Sequence, residues 1–229
     1  AATALGLAGM LGRTWTLGVA WLVPLGGLEL VLDPLGGFFV ALVGFATVPA
    51  SVYAIGYTRD GRRGVLAYLV FVLAMCTVPL AANMMTFAIA WELMSLASYF
   101  LVLHDRRERE SVRAAWVYAV MTHAGLACLL AGMLLLGAWT GSLRFADWHA
   151  AAPALGALER DLAFVLLAAG FLGKAGVIPL HVWLPEAHPA APSHVSALMS
   201  GVMIKTGIYG LMRILTFLGP PPAWWGLTI

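Results

Sequence analysis

Stretch after stretch of this chain runs for about twenty residues almost without charge, which confines it to a lipid bilayer. Residues 35–57, 65–82, 84–103, 112–139, 162–178 and 193–218 are long and apolar enough to read as membrane spans. Residues 1–11 look like the tail of another. Only 10% of the chain is charged, against about 25% in soluble domains. The expected fold is therefore all-α, a polytopic transmembrane helical bundle.

The segments between spans set its orientation. Residues 12–33, with Pro24 and paired glycines, read as a loop outside the hydrocarbon. Turn signals over residues 59–64 and a charge run over residues 104–113 separate later spans, and residues 140–161 form a longer polar connection. The first two polar segments hold Arg59, Arg62, Arg63, Arg106, Arg107, Arg109 and Arg113, while Arg13, Arg144, Arg160 and Arg213 lie at the other side. Cytoplasmic loops are enriched in arginine and lysine, so residues 57–64 and 104–113 are expected in the cytoplasm. Tryptophans such as Trp139, Trp148, Trp224 and Trp225 cluster near span ends, as an interfacial belt would have them.

Other classes find little support. A net charge of +2 is too small to suggest nucleic-acid binding. Cys76 and Cys128 fall far apart in apolar stretches and read as small buried hydrophobes rather than a disulfide framework or metal site. No phosphate-loop or dinucleotide fingerprint occurs, and the spacing of His181, His188 and His194 makes no known metal motif. No cofactor and no metal are expected. The chain starts without Met and stops just past a helix, so it is expected to be part of a longer product.

The chemistry is expected where charge interrupts the apolar runs. The chain has two lysines, Lys174 and Lys205, and both lie in spans. Arginine stays charged, whereas a buried lysine can give up its proton. Glu92 is the acid within a span, and Ser95 and Tyr99 follow at i+3 and i+7 on the same helical face. An intramembrane charge costs at least ~2.5–3.5 kcal/mol and usually finds a partner inside the bundle. Glu92 is thus either a structural carboxyl paired near a helix end or the group that sets the protonation of a buried lysine.

Lys174 is flanked by Gly173 and Gly176, with Pro179 and Pro185 close behind. Residues 162–191 are therefore expected to form a discontinuous helix broken just after Lys174. Snorkelling of Lys174 to an interface is the rival reading. Lys205 lies mid-way along the last span. His194, eleven residues earlier, returns to nearly the same face at 100° per residue, ~16 Å away, with Gly201 between them. His123 reads as a hydrogen-bond partner between helices, and Glu186 as a capping residue.

Three stretches together resemble a known family. They are residues 91–100, with Trp91-Glu92-Leu93-Met94-Ser95; residues 173–188, with Gly173-Lys174-Ala175-Gly176, Pro179, His181, Pro185 and His188; and residues 191–210, with Ser193-His194-Val195-Ser196 and Lys205. They are similar to the antiporter-like membrane subunits shared by respiratory complex I, Mrp-type cation/proton antiporters and group 4 membrane-bound hydrogenases. The pairing of the Ser-His-Val-Ser stretch with Lys205 is most similar to the branch holding the B component of hydrogenase-4 and the third subunit of formate hydrogenlyase.

The resemblance implies proton-translocating roles for Glu92, Lys174, Lys205 and His194. Ser95, Tyr99, His123 and His181 would be supporting polar groups, with the helix break at Pro179 and Pro185. It implies one five-helix repeat of a fold with two inverted repeats. Residues 1–34 would be a partial helix and extracytoplasmic loop, and residues 35–229 a proton-translocating transmembrane domain without its second repeat.

The expected protein is a multi-pass subunit in the inner (cytoplasmic) membrane, without a redox centre of its own. It would serve a redox-driven complex of hydrogenase-4 or NADH:quinone oxidoreductase type. Its partners would be the lipid bilayer, other membrane subunits and, through them, a peripheral redox arm. Ionised Glu92 would favour charged Lys174. A change in a neighbouring subunit would weaken that pair, and the proton would pass by water and His194 to Lys205. The alternatives are a cation/proton antiporter subunit of Mrp type and a non-conducting structural fragment.

Overall fold

Backbone groups that cannot bond to lipid must bond within their own segment, and the apolar runs do so as helices. The computed structural model describes residues 1–22, 26–57, 62–103 and 108–228. In chain order the elements are α1 (Ala2–Met10), a hairpin of β1 (Trp15–Val19) and β2 (Leu28–Leu32), α2 (Pro34–Tyr57), α3 (Arg62–Thr77) and α4 (Met84–Val102). Then come α5 (Arg109–Thr140), α6 (Phe145–Ala151), α7 (Ala157–Ala175), α8 (Leu184–Ala190), α9 (Ser193–Leu198), a π-turn at Met199–Met203, α10 (Ile204–Leu218) and α11 (Ala223–Thr228).

Among the described residues four segments are long and apolar enough to cross a membrane: Pro34–Gly56, Met84–Val102, Arg109–Thr140 and Ser193–Leu218. The other two expected spans are helical as well. Gly64–Leu80 is a shorter apolar helix. α7 is charged in its first turns by Glu159, Arg160 and Asp161, yet it packs between α5 and α10.

Two expectations are corrected. Residues 12–33 are a hairpin, with Trp15 opposite Leu32 and Val19 opposite Leu28 in an antiparallel ladder. The glycines belong to its turn, where Gly26 and Gly27 take φ of 130° and 77°, values open to glycine at little cost. Pro24 lies outside the described residues. The 140–161 connection is also structured: α6 occupies its middle, and Leu143 and Phe145 bond by backbone to Met84 and Ala82 at the start of α4. Residues 58–61 and 104–107, which hold Arg59, Arg106 and Arg107, lie outside the described residues too.

The hairpin and the bundle share a seam. Asn83 caps α4 by accepting from Thr86 N–H at 2.8 Å, and its amide donates to the Gly27 carbonyl at 3.0 Å. Asp33 accepts from Gly36 N–H at 2.7 Å at the start of α2 and meets Arg213 of α10 through both guanidinium arms, at 2.6 and 2.7 Å. Beside that pair lies a cavity of about 530 Å³, lined also by Glu29, Arg144 and His149. Glu29 and Arg144 pair at 3.1 Å.

Candidate functional site

The carbonyls at a helix C-terminus need partners, and α7 supplies them by a sharp turn. Gly176 takes φ 72°, and Val177 N–H reaches back to the Leu172 carbonyl at 3.1 Å. The helix therefore ends just past Lys174. The glycine makes the break. Pro179 lies in the non-helical stretch beyond it, and Pro185 sits in the first turn of α8, where proline fits. Trp183 Nε1–H, donating to the Gly173 carbonyl at 2.8 Å, ties the stretch back onto α7.

Close packing fixes α7 against α10. A side chain at Gly207 would lie 2.6 Å from the Phe171 carbonyl oxygen and 2.7 Å from Ala175 N, and one at Gly210 would run into the Phe171 ring. On its other side Phe171 meets Trp91 of α4 at 5.5 Å between ring centres. Lys174 is held at 3% exposure in this wall.

The ammonium of Lys174 donates to Ser95 Oγ at 3.1 Å and to Tyr118 Oη at 3.0 Å, and lies 5.8 Å from the centre of the Trp91 ring. Ser98 continues the chain. Its Oγ lies 2.6 Å from Tyr118 Oη and donates to the Met94 carbonyl at 2.7 Å. Tyr118 Oη accepts from Lys174 and shares a hydrogen bond with Ser98, with Met203 Sδ 3.5 Å away as a second acceptor. The buried ammonium therefore rests on two neutral hydroxyls and an aromatic face, with no carboxylate in contact among the described residues.

Glu92 instead bonds His123, with Oε1 to Nε2 at 3.1 Å, and His123 Nδ1 lies 2.8 Å from the Ala119 carbonyl oxygen. Ser95, one turn beyond Glu92, stands next to Lys174. Glu92 and Lys174 form no direct ion pair among the described residues.

Beyond this cluster the candidate residues spread out. Tyr99 packs edge-on against Phe100 at 5.3 Å. His194 is buried at 4% exposure and its ring meets Tyr68 at 5.3 Å. Lys205 is half-buried and donates to the Ser200 carbonyl at 2.8 Å, within the π-turn. That π-turn lies between His194 and Lys205, so the 100° register of a continuous α-helix does not run unbroken from one to the other. His181 lies half-buried in the stretch after α7, with Nδ1 enclosed and unbonded. His188 Nδ1 lies 3.1 Å from Ser196 Oγ. Glu186 meets Arg113 at 3.3 Å. Among the described residues no cluster of three metal-ligating side chains occurs.

Sequence reasoning missed Tyr118 and Ser98. In α5, Ala114, Ala115, Tyr118, Thr122 and Leu129 are buried at helical spacing, a pattern that marks a packed face and not the use of Tyr118 within it.

Known proteins share this sequence and this fold. The sequence profile of the NADH:quinone oxidoreductase/Mrp antiporter transmembrane family matches residues 81–227. An uncharacterised protein of Mycobacterium tuberculosis (strain ATCC 25618 / H37Rv) is 47% identical over 234 residues, covering 100% of this chain and 36% of its own. Hydrogenase-4 component B of Escherichia coli (strain K12) is 38% identical over 212 residues, covering 88% of this chain and 31% of its own. The chain thus spans about a third of the length of the curated relatives it matches. Among solved structures, the Mrp complex from Dietzia sp. DQ12-45-1b aligns with TM-score 0.80 at 24% identity, over 95% of this chain and 41% of that one.

Proposed function

The chain belongs to the NADH:quinone oxidoreductase/Mrp antiporter transmembrane family, and on that premise we propose that it moves protons as a membrane subunit of a redox-driven complex. The complex is of hydrogenase-4 or NADH:quinone oxidoreductase type, seated in the cytoplasmic membrane, with a peripheral redox arm reached through neighbouring membrane subunits. Residues 35–229 form the translocating unit, and residues 1–34 pack against it.

The observation that carries this reading is Lys174. It is buried beside hydroxyl groups able to pass a proton on, and among the described residues it has no carboxylate in contact to hold its charge permanently. Lysine can release a proton there; arginine could not. Glu92 lies one turn from Ser95 and acts on Lys174 by charge. Lys205 and His194 take the proton onward by separate routes around the π-turn, and His181 supports the path at the helix break.

The test is redox-driven acidification by the full complex in proteoliposomes. Glu92→Gln and Lys174→Arg are expected to lower translocation by about a hundredfold, the scale of a lost proton-transfer group, with assembly intact. Wild-type rates in both variants would reject the role. A second reading, a cation/proton antiporter subunit, is favoured by the likeness to the Mrp structure. Ion exchange driven by a sodium gradient, without any electron donor, would select it.

A further inference from the structure

The hydrogen bonds around His123 count protons. Nδ1 lies 2.8 Å from the Ala119 carbonyl oxygen. A carbonyl only accepts, so Nδ1 carries its hydrogen. Nε2 lies 3.1 Å from Glu92 Oε1. A neutral ring protonated at Nδ1 would present a bare lone pair there, and an ionised carboxylate would present another. Two lone pairs at that distance repel, so one more proton sits between the two groups, either on Nε2 or on the carboxyl.

The surroundings leave that proton to the pair. Glu92 and His123 face outward between α4 and α5, with side chains 29% and 52% exposed. The outward positions near them are apolar: Ile89, Leu93, Leu96 and Val120. Among the described residues, Tyr118 on α5 and Lys174 on α7 feel the charge of Glu92 from the packed interior, and Lys174 bonds Ser95 one turn beyond it.

We propose that Glu92 and His123 form a single proton-loading unit, and that a proton arriving on it drives one off Lys174. With the shared proton in place the unit is neutral overall. Without it, the unit carries one full negative charge, one helical turn from the serine that holds the ammonium. Loading therefore removes the charge that favours protonated Lys174, and the lysine releases its proton into the onward path. Only O–H and N–H bonds change: one proton enters the pair from water and one leaves Nζ. This rests on the proton-translocation reading above. His123, which sequence reasoning treats as a bond between helices, becomes half of the loading site.

The test has a structural arm and a functional arm, both on the full-length subunit in its intact complex. Magic-angle-spinning NMR with ¹⁵N-histidine and ¹³C-glutamate labels reports the pair, assigned by the signals lost in His123→Gln and Glu92→Gln. Either Nε2 or the Glu92 carboxyl is expected to carry the proton. A bare Nε2 facing an ionised carboxylate overturns the proposal whatever the complex transports. In proteoliposomes His123→Gln and His123→Arg are expected to slow translocation about tenfold or more, and His123→Gln to move the pH profile. A wild-type rate and profile in His123→Gln overturns the loading role. Absence of translocation by the wild-type complex would instead count against the proposed function, leaving the NMR result to judge the pair.

Discussion

At the scale of the residue, Lys174 shows how an expensive group is kept without being fixed. An ammonium stripped of water is costly unless hydrogen-bonded and paired. Here it has two hydroxyls and an indole face. Such a site favours function over stability, and the two can be separated. Lys174→Met keeps the length and removes the charge. It is expected to leave the thermal stability of the solubilised complex unchanged or raised, by up to ~1–4 kcal/mol, while abolishing translocation. Tyr118→Phe removes one bond to the ammonium, which is expected to cost about 1.5–3 kcal/mol and slow proton transfer, read by melting temperature and proteoliposome rate together. Glu92 and Lys174 were legible in the sequence because charge inside an apolar run has few explanations. Tyr118 was not, because a tyrosine in a span usually marks an interface, and only its burial among Trp183, Ser98 and Lys174 reveals its use.

At the scale of the element, the four spanning segments, the helices over the other two expected spans and the break after Lys174 follow from hydropathy and from a glycine-flanked lysine ahead of prolines. The parts that did not follow depend on local geometry that a fixed period cannot express. The π-turn at Met199–Met203 adds to the turn without changing composition, so the 100° register does not run unbroken through it to Lys205. The hairpin hides because its strands are as apolar as a helix, and α6 because seven residues are too few for periodicity. The α7–α10 contact gives a prediction of its own. Gly207 lies against backbone rather than a yielding side chain, so Gly207→Leu must push the helices apart. A loss of at least ~1–3 kcal/mol is expected, seen as a lower melting temperature and weaker incorporation into the complex. Gly226, with no atom near an added side chain, should tolerate alanine in the same assay.

At the scale of the whole molecule, polarity is distributed by side. The hairpin, the two ion pairs and the cavity share one region, where α2 and α4 begin. Cysteines placed at residues 64 and 108 are expected to react with impermeant thiol reagents only from the cytoplasmic side. One placed at Gly18 on β1, where a side chain meets open space, should react only from outside. Labelling in the opposite sense in intact cells would invert the bundle. The Asp33–Arg213 pair is mostly enclosed, with side chains 29% and 16% exposed. Asp33→Ala would remove both the ion partner and the cap of α2, and a loss of about 3–5 kcal/mol is expected, measured by thermal unfolding.

The same ion pair sets a clock. Its partners lie 180 residues apart, so a ribosome adding about 5–20 residues per second delivers the arginine roughly 10–40 s after the aspartate. For that interval Asp33 has its place at the start of α2 but not its clasp. It must spend the time in water or on a borrowed partner. Of the two residues, the one made first waits for the one made last.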